Sequence, residues 1–201
     1  RYGRDPAAQR GALAKVGGGS KGFDFTKIAN NGSTLPAGAA LGNGPTDWAC
    51  TYDNHTGLMW EVKVNNAAHL RHMSHSYTWY DSVHNYGGNP GTASGGTCLV
   101  AGRCDTEKFV ADVNATHLCG HDDWRLPTLH ELHNLADRGI ASPGLTIDTT
   151  YFPNTHAWYF WSGSPFAGFS DYAWGVYFNG GYDSWNPRNV AFQVRLVRTG
   201  Q

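Results

Sequence analysis

Residues 119–135 read CGHDDWRLPTLHELHNL, and the way this stretch folds decides the rest. Thr128, with Glu131 three positions later, is a capping box in which each side chain answers an orphan backbone N–H of the other. Pro127 holds the incoming chain extended and prevents the helix from starting earlier. Leu129, Leu132 and Leu135, with Ala136, recur at helical spacing and form one apolar stripe. Capped helix, apolar stripe and rigid Trp-Arg-Leu-Pro approach together describe a scaffold and not a reaction centre.

The surrounding sequence is aromatic and loop-rich. The 201 residues suffice for one substantial core and are too few for two ordinary domains. Charged residues make up 15%, against 26 glycines, 8 tryptophans, 10 tyrosines and 9 phenylalanines, a balance that favours a loop-rich fold on large aromatic anchors over a helical bundle. No apolar run reaches the ~20 residues that span a bilayer, so membrane insertion is not expected. With a net charge of −1, no global field favours nucleic acid. Cys50, Cys98, Cys104 and Cys119 form no C-x-x-C pair, so two disulfides and an oxidising compartment are expected. Of the three connectivities, Cys98–Cys104 with Cys50–Cys119 suits the spacing best, since Cys98 and Cys104 bracket a short glycine-containing turn. The chain starts at Arg1 with no signal-peptide pattern, which suggests a processed start or a longer parent protein.

In order along the chain, residues 1–20 end in GGGS and have the composition of a flexible linker. Phe23 to Ile28 alternates apolar and polar and predicts an edge strand. Residues 1–45 as a whole are expected to be an extended segment or linker, and 46–201 the domain. Leu58 to Val62 predicts a short buried strand, Tyr77 to Tyr80 an aromatic strand or core segment, and Asp105 or Thr106 caps a helix running to about Thr116. Beyond Pro143 the pattern becomes one of strands: Trp158 to Trp161, Ala173 to Phe178, a turn at Asn179 to Gly181, then Val190 to Val197. In that last run Val190, Phe192, Val194 and Leu196 alternate with Ala191, Gln193, Arg195 and Val197. Such strands between turn residues predict an antiparallel meander, and two helices followed by a meander make the fold class α+β.

The run LCGHDDWRLPTLHEL, with TYDNHTGLMWEV upstream and WYFWSGSP, WGVYFNGG and FQVRLVR downstream, resembles the Legionella collagen-like protein C-terminal domain family. The resemblance covers roughly residues 45–200. It implies a C-type-lectin-like fold of the formylglycine-generating-enzyme type, stabilised by disulfides. It also implies the role of an adhesin at the bacterial cell surface; relatives of that fold serve as variable proteins of diversity-generating retroelements. Family members bind sulfated glycans, but this chain lacks the basic excess that a polyanion would call for.

The residues offer little to an enzyme. No G-x-S-x-G, Walker A or G-x-G-x-x-G is present, so catalysis is not expected. His69, His72 and His75 fall three apart, and His130 and His133 flank Glu131, yet no H-E-x-x-H aligns them for a metal. Oxygen-rich loops at Asp53–Asn54 and Asp122–Asp123 offer donors for a structural Ca2+, with Asx turns as the plainer role. No other cofactor is expected.

What remains is a binding surface. Residues 166–189 read FAGFSDYAWGVYFNGGYDSWNPRN, a mixture of rigid aromatic area and adaptable polar groups of the kind paratopes use. Alternation puts Trp174 and Val176 on one strand face and Tyr177 on the other. The positions expected to face a ligand are Asp171, Tyr172, Tyr177, Asn179, Tyr182, Asp183, Trp185, Arg188 and Asn189. The sequence thus points to a non-catalytic, extracellular, adhesin-like module for a glycan or protein partner. A structural subunit of an extracellular filament or surface layer, built as a homo-oligomer, is the alternative. A degenerate formylglycine-generating-type enzyme is a second.

Overall fold

The computed structural model describes residues 10–11, 14–84 and 88–200. Among these are ten strands and two helices: β1 Phe25–Ala29, β2 Thr34–Leu35, β3 Trp48–Asp53, β4 Leu58–Glu61, β5 Tyr77–Thr78, α1 Thr106–Ala115, α2 Leu129–His133, β6 Tyr159–Pro165, β7 Tyr172–Tyr177, β8 Tyr182–Pro187, β9 Ala191–Val194 and β10 Val197–Thr199. They form two five-stranded sheets, ordered β10-β4-β3-β1-β2 and β5-β9-β6-β7-β8. The class is α+β.

Both helices begin where their side chains cap them. The Asp105 carboxylate accepts the Lys108 N–H at 2.8 Å at the start of α1. At α2 both halves of the capping box form: Thr128 Oγ1 accepts the Glu131 N–H at 3.3 Å, and Glu131 accepts the Thr128 N–H at 2.8 Å. α2 is shorter than its apolar stripe, because Asn134 already caps its C-terminus. Leu135 and Ala136 are buried all the same, carried into the core by the turn that follows. α1 packs Phe109 and Val113 into a cluster with Trp79, Trp124 and Trp161, while α2 packs Leu132 into another with Trp60, Phe152 and Phe160.

The approach to α2 is fastened from three sides. Trp124 is buried, and its indole donates to the Leu118 carbonyl at 3.1 Å. Its backbone N–H and carbonyl are both taken by the Asn114 amide of α1, at 2.8 and 3.0 Å. Arg125 forms a bidentate pair with Glu131 at 2.7 and 2.8 Å, and its backbone exchanges both hydrogen bonds with Val197 of β10. The disulfides are Cys50–Cys119 and Cys98–Cys104. The first ties β3 to the turn that delivers this approach.

Three strand expectations are corrected. Phe23 to Ile28 is not an edge: β1 lies between β3 and β2, and Phe25 also exchanges backbone hydrogen bonds with Gly18 of the GGGS run. Residues 1–45 therefore contribute two strands to a sheet, while residues 1–9 and 12–13 of that segment lie outside the described residues. The run from Val190 to Val197 is not one strand: β9 joins the second sheet and β10 the first. Its alternation does not separate core from solvent either, since Gln193 and Arg195 are as buried as Phe192 and Val194. The meander β6-β7-β8 is antiparallel as expected, but β9 pairs with β6 in parallel.

Candidate functional surface

The hairpin β7–β8 carries most of the residues expected to bind. Its register sets Trp174 opposite Trp185 and Tyr172 opposite Pro187 on one face, and Tyr177 opposite Tyr182 on the other. β8 is the outer strand of its sheet, and side chains on both of its faces reach the surface. On the first face Trp185 stacks on Phe166, with centroids 5.1 Å apart and planes at 14°. Tyr172 meets the same indole edge-on at 5.2 Å, Phe169 lies 6.3 Å away, and Trp174 closes the group against Phe166 at 5.4 Å. Two of these side chains remain largely in water, Trp185 at 44% exposure and Phe169 at 56%.

On the second face Tyr177 packs against Tyr159 at 4.6 Å, Tyr182 at 5.2 Å and Trp158 at 5.7 Å. Tyr182 and Trp158 are about half exposed. Burial, and then the neighbouring Tyr182 hydroxyl, push the Tyr159 phenol up to about 12, so that phenol stays uncharged across the physiological range. Asn179 extends the group, its amide donating to the Tyr177 hydroxyl at 3.3 Å. The arrangement can stack apolar rings and offer phenol and amide hydrogen bonds, and it presents no fixed charge among its aromatics.

The nine expected residues are thus divided. Tyr172 and Trp185 belong to the first face, and Tyr177, Asn179 and Tyr182 to the second. Asp183 is exposed beside α2, its carboxylate 3.9 Å from His133 Nδ1. Asp171 and Asn189 are exposed at the rim of a small recess of about 210 Å³ that Arg188 also lines. Arg188 itself is a correction. It is 2% exposed, with its guanidinium 4.1 Å from the Trp79 ring centroid and donating to the carbonyls of Tyr172 and Asn89. It braces the hairpin from inside, since a buried cation must spend its donors on protein acceptors. Five aromatics of the surface are outside those nine: Phe166, Phe169, Trp174, Trp158 and Tyr159. The first three stand within the quoted stretch, where composition flagged them without separating surface from core.

Among the described residues no group of three or more His, Cys, Asp or Glu side chains is placed to hold a metal ion. The oxygen-rich loops are otherwise engaged. Asp53 accepts the N–H groups of His55 and Thr56 at 2.9 and 3.3 Å, an Asx turn. Asp123 holds Arg198 at 2.6 and 3.2 Å, and that guanidinium keeps its carboxyl below the ordinary range.

The model of the Lcl C-terminal domain family matches residues 49–198. No curated protein and no solved structure matches the chain.

Proposed function

We propose, from the premise that this chain belongs to the Lcl C-terminal domain family, that it is a non-catalytic binding module displayed outside the bacterial cell. In this reading it takes a glycan or protein partner on the aromatic surface around β8. The carrying observation is the Phe166–Trp185 stack with Phe169 beside it, apolar rings left in water at the rim of a sheet. Exposed aromatic groups of this kind mark interaction sites, and their rings suit the apolar faces of sugars. Family membership supports a surface or secreted setting, as do the two disulfides. None of the described helices is long and apolar enough to cross a membrane. We read the two sheets with their intervening helices as a C-type-lectin-like arrangement, in which the first and last strands of the domain share one sheet. With all four cysteines paired, the non-catalytic reading is favoured over a formylglycine-generating-type enzyme.

The test is a panel of immobilised neutral and sulfated oligosaccharides and of extracellular-matrix proteins, probed with the wild type and with a variant carrying Phe169→Ala, Tyr182→Ala and Trp185→Ala. The variant is expected to melt with the wild type and to lose roughly thirtyfold or more in affinity, the ratio that a ~2 kcal/mol hot spot implies. Full binding by the variant places the site elsewhere.

A further inference from the structure

Residues 66–75 fold as three successive turns, with the N–H of His69 bonded to the Asn66 carbonyl, that of His72 to His69 and that of His75 to His72, at 3.0 to 3.2 Å. This folded segment seats Arg71, whose buried guanidinium donates to the carbonyls of Ala49, at 3.1 Å, and Val62. The segment is also laced to the chain after β4, where the Val64 N–H bonds the Arg71 carbonyl at 3.1 Å and the Met73 N–H bonds the Val64 carbonyl at 3.0 Å. One bond within it depends on the state of a titratable side chain: the Arg71 N–H donates to His69 Nδ1 at 3.0 Å. Only an unprotonated ring nitrogen accepts a hydrogen bond.

We propose that this segment is an acid-released latch, in which neutral His69 holds the turn that seats Arg71, and protonation of His69 takes that acceptor away and frees residues 66–75. The surroundings reinforce it. His69 is faced by Arg71, Lys63 and His75 on the cationic side and by Glu61 alone on the anionic side. The Glu61 carboxylate is already held by the Lys63 ammonium at 2.9 Å and the Leu196 N–H at 3.2 Å. His75 Nε2 lies 3.1 Å from the His69 carbonyl, so it carries its proton there, and its ring meets His72 edge-on at 5.1 Å with Lys63 nearby. His117 lines the same recess as His69, a cavity of about 350 Å³. An added proton therefore enters a region already rich in positive charge. Burial, then Arg71, holds His69 below its ordinary value of 6.5, and burial, then His72, does the same for His75.

The sign follows from that lowering. A group whose folded pKa is depressed binds fewer protons folded than unfolded, so its contribution is complete above 6.5 and is lost as the pH falls through the folded value. The latch is accordingly closed at neutral pH and released in mild acid, while the cores around Trp161 and Phe160 stay packed. Release widens the recess between residues 66–75 and the Leu118 turn, and so changes the accessible surface on a part of the domain distinct from the aromatic hairpin.

Amide hydrogen exchange of the whole chain at pH about 7.5 and about 5, corrected for intrinsic rates, tests the latch. The amides of Val64, Arg71 and Met73 are expected to lose protection in acid relative to those of β6 and β7, which do not. The substitution His69→Asn supplies an oxygen that accepts the same i+2 N–H and cannot be protonated, and it should abolish the acid response. His69→Ala should be unprotected at both pH values. Equal protection of the wild type at the two pH values overturns the proposal, as does an undiminished acid response in His69→Asn or full protection in His69→Ala.

Discussion

Glu61, Lys63, Arg71 and Arg195 are all buried, and they form one electrostatic neighbourhood behind β4. Arg195 donates to the Glu61 carbonyl and to Thr155 Oγ1, both at 2.8 Å, and lies 5.0 Å from the Phe152 ring centroid. Burial pulls the Lys63 ammonium down to about 8, against the opposing pull of Glu61. With three cations around one carboxylate, removing that carboxylate is the damaging change, since a buried charge left unpaired costs far more than the pair contributes. Glu61→Gln is therefore expected to destabilise the protein by about 3–5 kcal/mol in urea unfolding. Arg188 is the other residue at this scale whose role is internal. Arg188→Ala should lower the melting temperature, by the equivalent of about 2–4 kcal/mol, because it strips the stack on Trp79 and two carbonyl partners from the hairpin. The contrast with Trp185→Ala, expected to melt with the wild type, separates brace from binding surface in one thermal scan.

Among the elements, α2 and its approach hold the two cores in register. Thr128→Ala removes one half of a formed capping box and should cost about 1 kcal/mol in a urea titration. Trp124→Ala empties a buried indole site and should cost about 3–5 kcal/mol. Asn114 belongs with them. Its amide satisfies both backbone groups of Trp124 across ten residues, so Asn114→Ala should cost about 1–3 kcal/mol, more than an exposed helix position would. Equal melting of all three with the wild type would deny this stretch its scaffolding role. Glycine acts at one point in the same frame: at Gly91, φ is +95° and an added Cβ would lie 2.2 Å from the Trp79 carbonyl oxygen, so only glycine lets that loop cross the indole that Arg188 covers.

At the scale of the molecule, the two crosslinks act unequally. Cys50–Cys119 closes a separation of 69 residues and Cys98–Cys104 one of only 6. Loop-closure entropy assigns about 4 kcal/mol to the first and about 2 kcal/mol to the second. Removing each pair by alanine substitution should reproduce that order in unfolding midpoints, and unreduced peptide maps should return these two pairings.

The sequence by itself determined what is local or covalent. The capping box at Thr128 and Glu131, a cap at Asp105 or Thr106, the turn between Tyr177 and Tyr182, the α+β class and the disulfide spacing all depend on groups a few residues apart or on a count of cysteines. Family motifs carried the rest of that reading. Tertiary structure alone decided which polar and aromatic residues are inside. Arg195 sits in an alternating run that reads as one strand, yet it falls in the break between β9 and β10, where the chain crosses from one sheet to the other and is buried on both sides, so a period of two reports nothing there. Arg188 shares its composition with a paratope but points inward, because Trp79, more than a hundred residues earlier, supplies the ring it covers. The aromatic surface is likewise a product of pairing. Trp185 and Phe166 meet because β7 pairs with β6 on one side and β8 on the other, which brings their segments together. Contacts of that range are set by sheet order and register, which no local pattern encodes.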